Sequence, residues 1–232
     1  MTDRSDRKPL CPVEHDQCEY LSELVELRQQ VSQLAELVHT DTLTGLNNFR
    51  FFIQALEQEL ERTRRTGYST ALVMMDLDHF KQVNDQWGHE VGNKALVLAA
   101  QLIRAGVRKM DIPCRYGGEE FAIILPSTDL RQSIQVAERI REMLENSPLF
   151  IQDAQEINLT ASFGIELFRF GDSSDAKQLV RKADQLLYEA KASGRNQVCF
   201  GTQEQDASAA AVSEEEKDTL FSLFGGQQAD EE

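Results

Sequence analysis

Thr70-Ala71-Leu72-Val73-Met74-Met75 is an uncharged run that stops abruptly at Asp76. A compact apolar stretch of this kind reads as a buried strand, covered on both faces rather than one. Its surroundings read as alternating helices and strands. Phe49–Arg64 has an amphipathic helical pattern ending near Gly67, and Asn93–Arg104 is helical and rich in Ala and Leu. Leu130–Leu144 and Ala176–Ala192 are further helices, while Leu159–Phe168 and Gln197–Phe200 are strands. Cys114–Tyr116 and Phe121–Leu125 flank Gly117-Gly118, a hairpin signal because paired glycines reach positive φ without strain. A central sheet covered by helices follows, an α/β or α+β domain over residues 41–200.

Outside that domain the composition changes. Residues 1–16 carry Pro9 and Pro12 and aperiodic charge, and are expected to be irregular. From 17 to 40, Tyr20, Leu24, Leu27, Val31, Leu34 and Val38 alternate by four and three, the spacing of a coiled-coil seam. One amphipathic helix packed on its own domain would give a similar stripe. Its narrowness favours a parallel two-stranded stalk, marginal alone because it is short. Residues 201–232 hold nine Asp/Glu against one Lys and are expected to be a disordered acidic tail. Leu220, Phe221, Leu223 and Phe224 interrupt it with an apolar island, suited to docking on its own domain or to a partner-binding helix.

The net charge of −15 argues against nucleic-acid binding through a broad basic face. No window approaches the roughly 18 apolar residues of a membrane span, and the N-terminus lacks the apolar core of a signal peptide. Four scattered cysteines do not make a disulfide framework, which fits a reducing compartment, so the expected location is cytoplasmic. His15 between Cys11 and Cys18 lacks a fourth zinc ligand, and no zinc is expected there.

Two acidic pairs stand out. Asp76 and Asp78 fall where the buried strand ends, and Glu119 and Glu120 follow the paired glycines. If the hairpin lies beside the Thr70–Asp76 strand, these carboxylates converge, and their mutual repulsion would call for a bound cation such as Mg²⁺. Two acidic pairs alone would also suit a solvated loop.

The full strings say more. Asp41-Thr42-Leu43-Thr44-Gly45-Leu46-Asn47-Asn48 opens the domain, followed by Asp76-Leu77-Asp78-His79-Phe80-Lys81-Gln82-Val83-Asn84-Asp85 and Gly88-His89-Glu90-Val91-Gly92. Arg115-Tyr116-Gly117-Gly118-Glu119-Glu120-Phe121, Ala183-Asp184-Gln185-Leu186-Leu187-Tyr188-Glu189-Ala190-Lys191 and Gly194-Arg195-Asn196 complete the set. In this order they resemble the GGDEF family of diguanylate cyclases, in its Gly-Gly-Glu-Glu-Phe form, across residues 41–200.

The resemblance implies a palm-like sheet related to nucleotidyl cyclases and polymerases, and condensation of two GTP into cyclic di-GMP. It implies two Mg²⁺ or Mn²⁺ ions per half-site, held by Asp76, the backbone carbonyl of Leu77 and Glu119. Glu120 would support the metal or help deprotonate the attacking 3′-hydroxyl. Asn84 and Asn93 would read the guanine edge with His89 close by, while Lys81, Lys191, Arg195 and the backbone around Phe80 would hold the triphosphate. Glu119, Glu120 and Lys81 are the catalytic candidates. Gly117 and Gly118, having no Cβ, would let the nucleotide approach the backbone closely. Asp78 reads as more structural than ligating. Arg108-Lys109-Met110-Asp111 matches the placement of the family's inhibitory product site, with Arg139 as a partner reaching across a second subunit.

Asn93 departs from the family, which usually carries Asp there. Asn keeps one acceptor for guanine's two N–H donors and adds an amide that faces a donor, so discrimination against adenine is expected to weaken. Because each such domain holds one GTP and the product needs two bonds, a homodimer joined through the stalk is expected. No sensor domain is recognised before residue 41, so activation by a separate protein on stalk or tail is the natural expectation. The competing readings are a catalytically inactive receptor for cyclic di-GMP or GTP, and a scaffold acting through stalk and tail.

Overall fold

The computed structural model describes residues 23–30, 39–151 and 155–201. The irregular N-terminus, most of the expected stalk and the tail from 202 onward, with its apolar island, lie outside the described residues. Within the stalk, residues 23–30 are helical (α1), with Leu24 and Leu27 exposed on the single chain. Thr40, the last residue of the expected stalk, is not helical: it forms a β-bridge with Asn47.

The domain runs α2 (Phe49–Thr66), β1 (Thr70–Leu77), α3 (Phe80–Trp87), α4 (His89–Gly106), β2 (Ile112–Arg115), β3 (Glu120–Leu125), α5 (Leu130–Glu145), β4 (Leu149–Phe150), β5 (Glu156–Ile157), β6 (Ala161–Phe168), α6 (Ala176–Ala192) and β7 (Val198–Phe200). Five strands form one sheet in the order β2-β3-β1-β6-β7, and β4 pairs with β5 in a separate ribbon. β1 is central and antiparallel to both neighbours, while only β7 runs parallel to its partner.

All eight residues of β1 are buried, as the apolar run Ala71–Met75 at its centre demands. Alternation sends Ala71, Val73, Met75 and Leu77 into a core with α4 and α5, through Ala95, Ala99, Ile103, Val136 and Ile140. Leu72 and Met74 point the other way, toward Phe52, Leu56 and Leu60 of α2 and Leu179, Ala183 and Leu187 of α6. Helix ends follow local chemistry. Asn48 caps α2 by accepting from the Phe51 N–H at 3.0 Å, and Asp129 with Gln132, and Asp175 with Gln178, form reciprocal capping boxes on α5 and α6.

One contact fixes where α6 lies. A Cβ on Gly164 of β6 would sit 2.2 Å from the Ala183 carbonyl oxygen and 2.3 Å from the Leu187 nitrogen. Helix backbone rests on strand backbone there, and the end of α6 is thereby aimed at the end of β1. The short helix α3 and the β4–β5 ribbon are absent from the sequence reading, and β1 extends through Asp76 and Leu77 instead of stopping before them.

Candidate functional site

In the antiparallel register of β1 and β3, Asp76 stands opposite Glu120, and the Leu77 N–H donates to the Glu119 carbonyl at 3.3 Å. Residues opposed in this way share a face, so sheet pairing puts the Asp76 and Glu120 side chains on one face beside the Leu77 backbone, and Glu119, just ahead of β3, is near enough for its charge to act on Asp76. Asp76 is not at an exposed sheet end, as the sequence suggested. It is 7 % exposed, and the Lys191 Nζ lies 2.8 Å from its Oδ2. Burial holds the Asp76 carboxyl above its ordinary range; Lys191 opposes this, and the charges of Glu119 and Glu120 reinforce it.

Asp78 is also buried, and its acceptors are already taken. It receives hydrogen bonds from Thr160 Oγ1 at 2.8 Å, Ser162 Oγ at 2.7 Å and the Asn196 N–H at 3.0 Å. That saturation makes it a structural anchor between β1, β6 and the turn after α6.

The hairpin turn corrects one expectation. Neither Gly117 nor Gly118 adopts a positive φ, so conformational freedom is not why glycine stands there. A Cβ on Gly117 would meet Glu120 Oε2 at 2.6 Å, because the Glu120 side chain folds across it, whereas Gly118 opens onto empty space. The Tyr116 and Gly117 N–H groups both donate to the Glu120 carbonyl, at 2.9 and 3.1 Å. From outside, Arg115 grips the turn: Nε donates to the Gly117 and Gly118 carbonyls at 3.1 and 3.2 Å, and Nη2 to Gly118 at 2.8 Å. Its Nη1 reaches Asp41 at 3.1–3.2 Å. Burial works against ionised Asp41, but the Thr44 hydroxyl and N–H together with Arg115 outweigh it and hold that carboxyl below its ordinary value. Sequence reasoning assigned neither Arg115 nor Asp41 a role, and nothing local marks a pair 74 residues apart.

Phe80 and Lys81 form the first turn of α3, immediately after β1. Its N-cap, His79, sits at φ 56° and offers no side-chain cap; the Gln82 N–H donates to the His79 carbonyl at 2.8 Å, so the Phe80 and Lys81 N–H groups are the ones suited to an anion. Asn84 is brought against the start of α4, since a Cβ on Gly92 would fall 1.9 Å from its Oδ1. Asn93 and His89 share that start and are exposed. Among the described residues the side chains of Lys81, His89, Asn93 and Arg195 make no hydrogen bond or ion pair, which leaves their polar groups turned to solvent.

Arg108 and Asp111 close a turn: the Arg108 N–H donates to Asp111 Oδ2 at 2.7 Å, and the Asp111 N–H returns to the Arg108 carbonyl at 3.1 Å. Arg139 is seated beside them in the same chain. Its Nε donates to the Gly106 carbonyl at 3.1 Å, and its charge reaches Asp111. Burial raises the Asp111 carboxyl above its ordinary value, opposed by the Arg108 N–H and by the Arg108 and Arg139 charges.

No three carboxylate, imidazole or thiol side chains among the described residues form a ready-made metal cage. The donor set nevertheless fits a hard cation. Mg²⁺ usually takes one or two carboxylates and completes its shell with water and substrate phosphates, and Asp76, Glu119 and the Leu77 carbonyl are oxygen donors of that kind.

A mixed sheet flanked by helices, with carboxylates where its central strands end and a helix start just beyond, is the palm-like architecture of nucleotidyl cyclases. Residues 38–197 match the family described as "Diguanylate cyclase, GGDEF domain". The chain belongs to this family. It is 39 % identical over 173 residues to response regulator PleD of Caulobacter vibrioides, covering 74 % of this chain and 38 % of that protein. It is 36 % identical over 183 residues to diguanylate cyclase A of Treponema denticola, covering 78 % and 49 %. The chain thus spans less than half the length of these curated relatives. Among solved structures it is similar to the diguanylate cyclase SiaD of Pseudomonas aeruginosa in complex with its activator SiaC, with TM-score 0.68 and 37 % identity over 79 % of this chain and 71 % of that one. The coiled coil and GGDEF domain of DgcB from Caulobacter crescentus, in complex with c-di-GMP, gives TM-score 0.68 and 29 % identity over 78 % and 94 %.

Proposed function

We propose that the chain condenses two GTP molecules into cyclic di-GMP and two pyrophosphates. The observation that supports this reading is the Asp76–Glu120 register, which sets two carboxylates on one face beside Lys191, with the Glu119 charge in reach of Asp76. Mg²⁺ or Mn²⁺, when bound, would offset the negative charge that grows as pyrophosphate leaves. Asp76, Glu119 and the Leu77 carbonyl would hold it. Lys81, Lys191, Arg195 and the first turn of α3 would grip the triphosphate, and Gly118 leaves room for it. Glu120, folded over Gly117, is the carboxylate nearest the turn and is suited to take the proton of the attacking 3′-hydroxyl. Asn84 and Asn93 flank the guanine.

One domain provides one nucleotide site, and each 3′-hydroxyl must attack the α-phosphate held by another chain. Two copies therefore face one another, brought together by the stalk that includes α1. Product inhibition would run through Arg108, Asp111 and Arg139, whose arginine forks suit guanine and phosphate edges. A separate activating protein on the stalk is consistent with the likeness to a cyclase solved with its activator.

Incubation with GTP and Mg²⁺ or Mn²⁺, followed by chromatography for pyrophosphate and cyclic dinucleotide, tests the reading, with ATP run beside GTP. Binding of cyclic di-GMP without any turnover, in paired chains supplied with metal, would replace the enzyme with a receptor.

A further inference from the structure

The turn after α6 carries three successive residues in the left-handed region: Gly194 at φ 119°, Arg195 at 64° and Asn196 at 44°. Glycine adopts this freely and asparagine tolerates it, but arginine does not. Such a backbone persists only where its surroundings impose it. Here they do. The Arg195 N–H donates to the Ala190 carbonyl at 3.0 Å, and the Asn196 N–H donates to buried Asp78 at 3.0 Å.

The remaining hold comes from α5. Arg141 Nη1 donates to Asn196 Oδ1 at 3.1 Å, and Asn196 Nδ2 donates to Glu145 Oε1 at 2.8 Å. Arg141 in turn holds Glu145 Oε2 through Nη1 at 2.9 Å and Glu138 Oε2 through Nε at 2.7 Å. Its side chain is only 16 % exposed. With its fork committed to these partners, Arg141 has little left to offer a nucleotide directly. Arg195 is the reverse case: its backbone is fixed and its side chain is exposed and without an ion pair.

We infer that Arg141 is a positioning residue for the substrate: by clamping Asn196 from α5 it keeps the turn in the shape that presents Arg195 to the triphosphate. This rests on the cyclase reading and adds to it a part of the triphosphate grip that lies on another helix. Asp78 anchors the turn on one side, beside the strand that carries Asp76, and Arg141 anchors it on the other.

The test uses the full chain with Arg141→Met, Asn196→Ala and both together, assayed for steady-state GTP turnover with Mg²⁺ and for thermal midpoint. Each single change is expected to raise KM for GTP about tenfold with kcat within about twofold. The double variant should be no worse than the poorer single, because both act through one clamp. A merely structural role would instead lower the midpoint and the active fraction, hence kcat, and leave KM alone. If Arg141→Met fails to fold, Asn196→Ala, on a surface turn, carries the same readout. An unchanged KM in the folded variant, with a parent that turns GTP over, overturns the clamp and leaves the proposed activity standing. A parent that neither binds GTP nor turns it over removes both.

Discussion

Burial and charge conflict at Asp76. The folded carboxyl titrates above its unfolded value, mainly because it is buried. The ionised form therefore costs stability at neutral pH, and that cost is relieved as the pH falls through the folded value. Asp76→Asn removes it, and Lys191, one third exposed, can turn to water. The variant should lose at least about 100-fold in turnover while unfolding at no lower urea concentration than the parent. Its advantage should shrink as the pH is lowered from neutral toward the ordinary carboxylate range, as urea midpoints across that series would show. Asn93 makes a separate case. Asn93→Asp restores a second acceptor, and the preference for GTP over ATP should rise about tenfold, the low end for one hydrogen bond because the site is exposed; competing the two nucleotides measures it. The acids and lysines of the site were legible as residue types in ordered strings. Their states were not. That Asp78 is saturated, or that Arg115 ties Asp41 to the glycine turn, depends on partners dozens of residues away that no local pattern names.

Elements were easiest to read where apolar periodicity was long. α6 falls on the expected residues, and α2, α5 and β3 differ by at most two at an end. α3 escaped because Phe80–Trp87 has a single buried residue and too few turns to show a stripe. Glycine was the least legible, since a sequence shows its presence and not its reason. Gly164 and Gly118 make the contrast testable. Gly164→Ala drives a methyl into the backbone of α6 and should cost about 3 kcal/mol, a drop of roughly 10 °C in thermal midpoint. Gly118→Ala points into open space with an ordinary φ, so its midpoint should stay within about 2 °C of the parent. Its turnover should nevertheless fall about tenfold or more if the open space over Gly118 is the nucleotide's approach, as proposed. Melting curves beside a pyrophosphate assay separate the two.

For the whole molecule, the proposed reaction requires two copies to meet face to face. Leu24 and Leu27 lie exposed on α1 of the single chain, at 44 % and 48 %, like every described residue of that helix, and the proposed pairing would cover them. Leu27→Pro breaks that helix, at about 3 kcal/mol for an interior proline. It should bring turnover below about one tenth of the parent's while GTP binding to the separate domain stays within about twofold, as light scattering, nucleotide titration and turnover on one sample would show. In the single chain the Lys191 ammonium is docked on Asp76 at 2.8 Å as a resident counter-ion. A cation arriving at Asp76 would have to displace that ammonium, and phosphate oxygens would give it new charged partners in exchange. Magnesium offered alone should thus bind more weakly than magnesium offered with GTP, as metal titrations with and without the nucleotide would show.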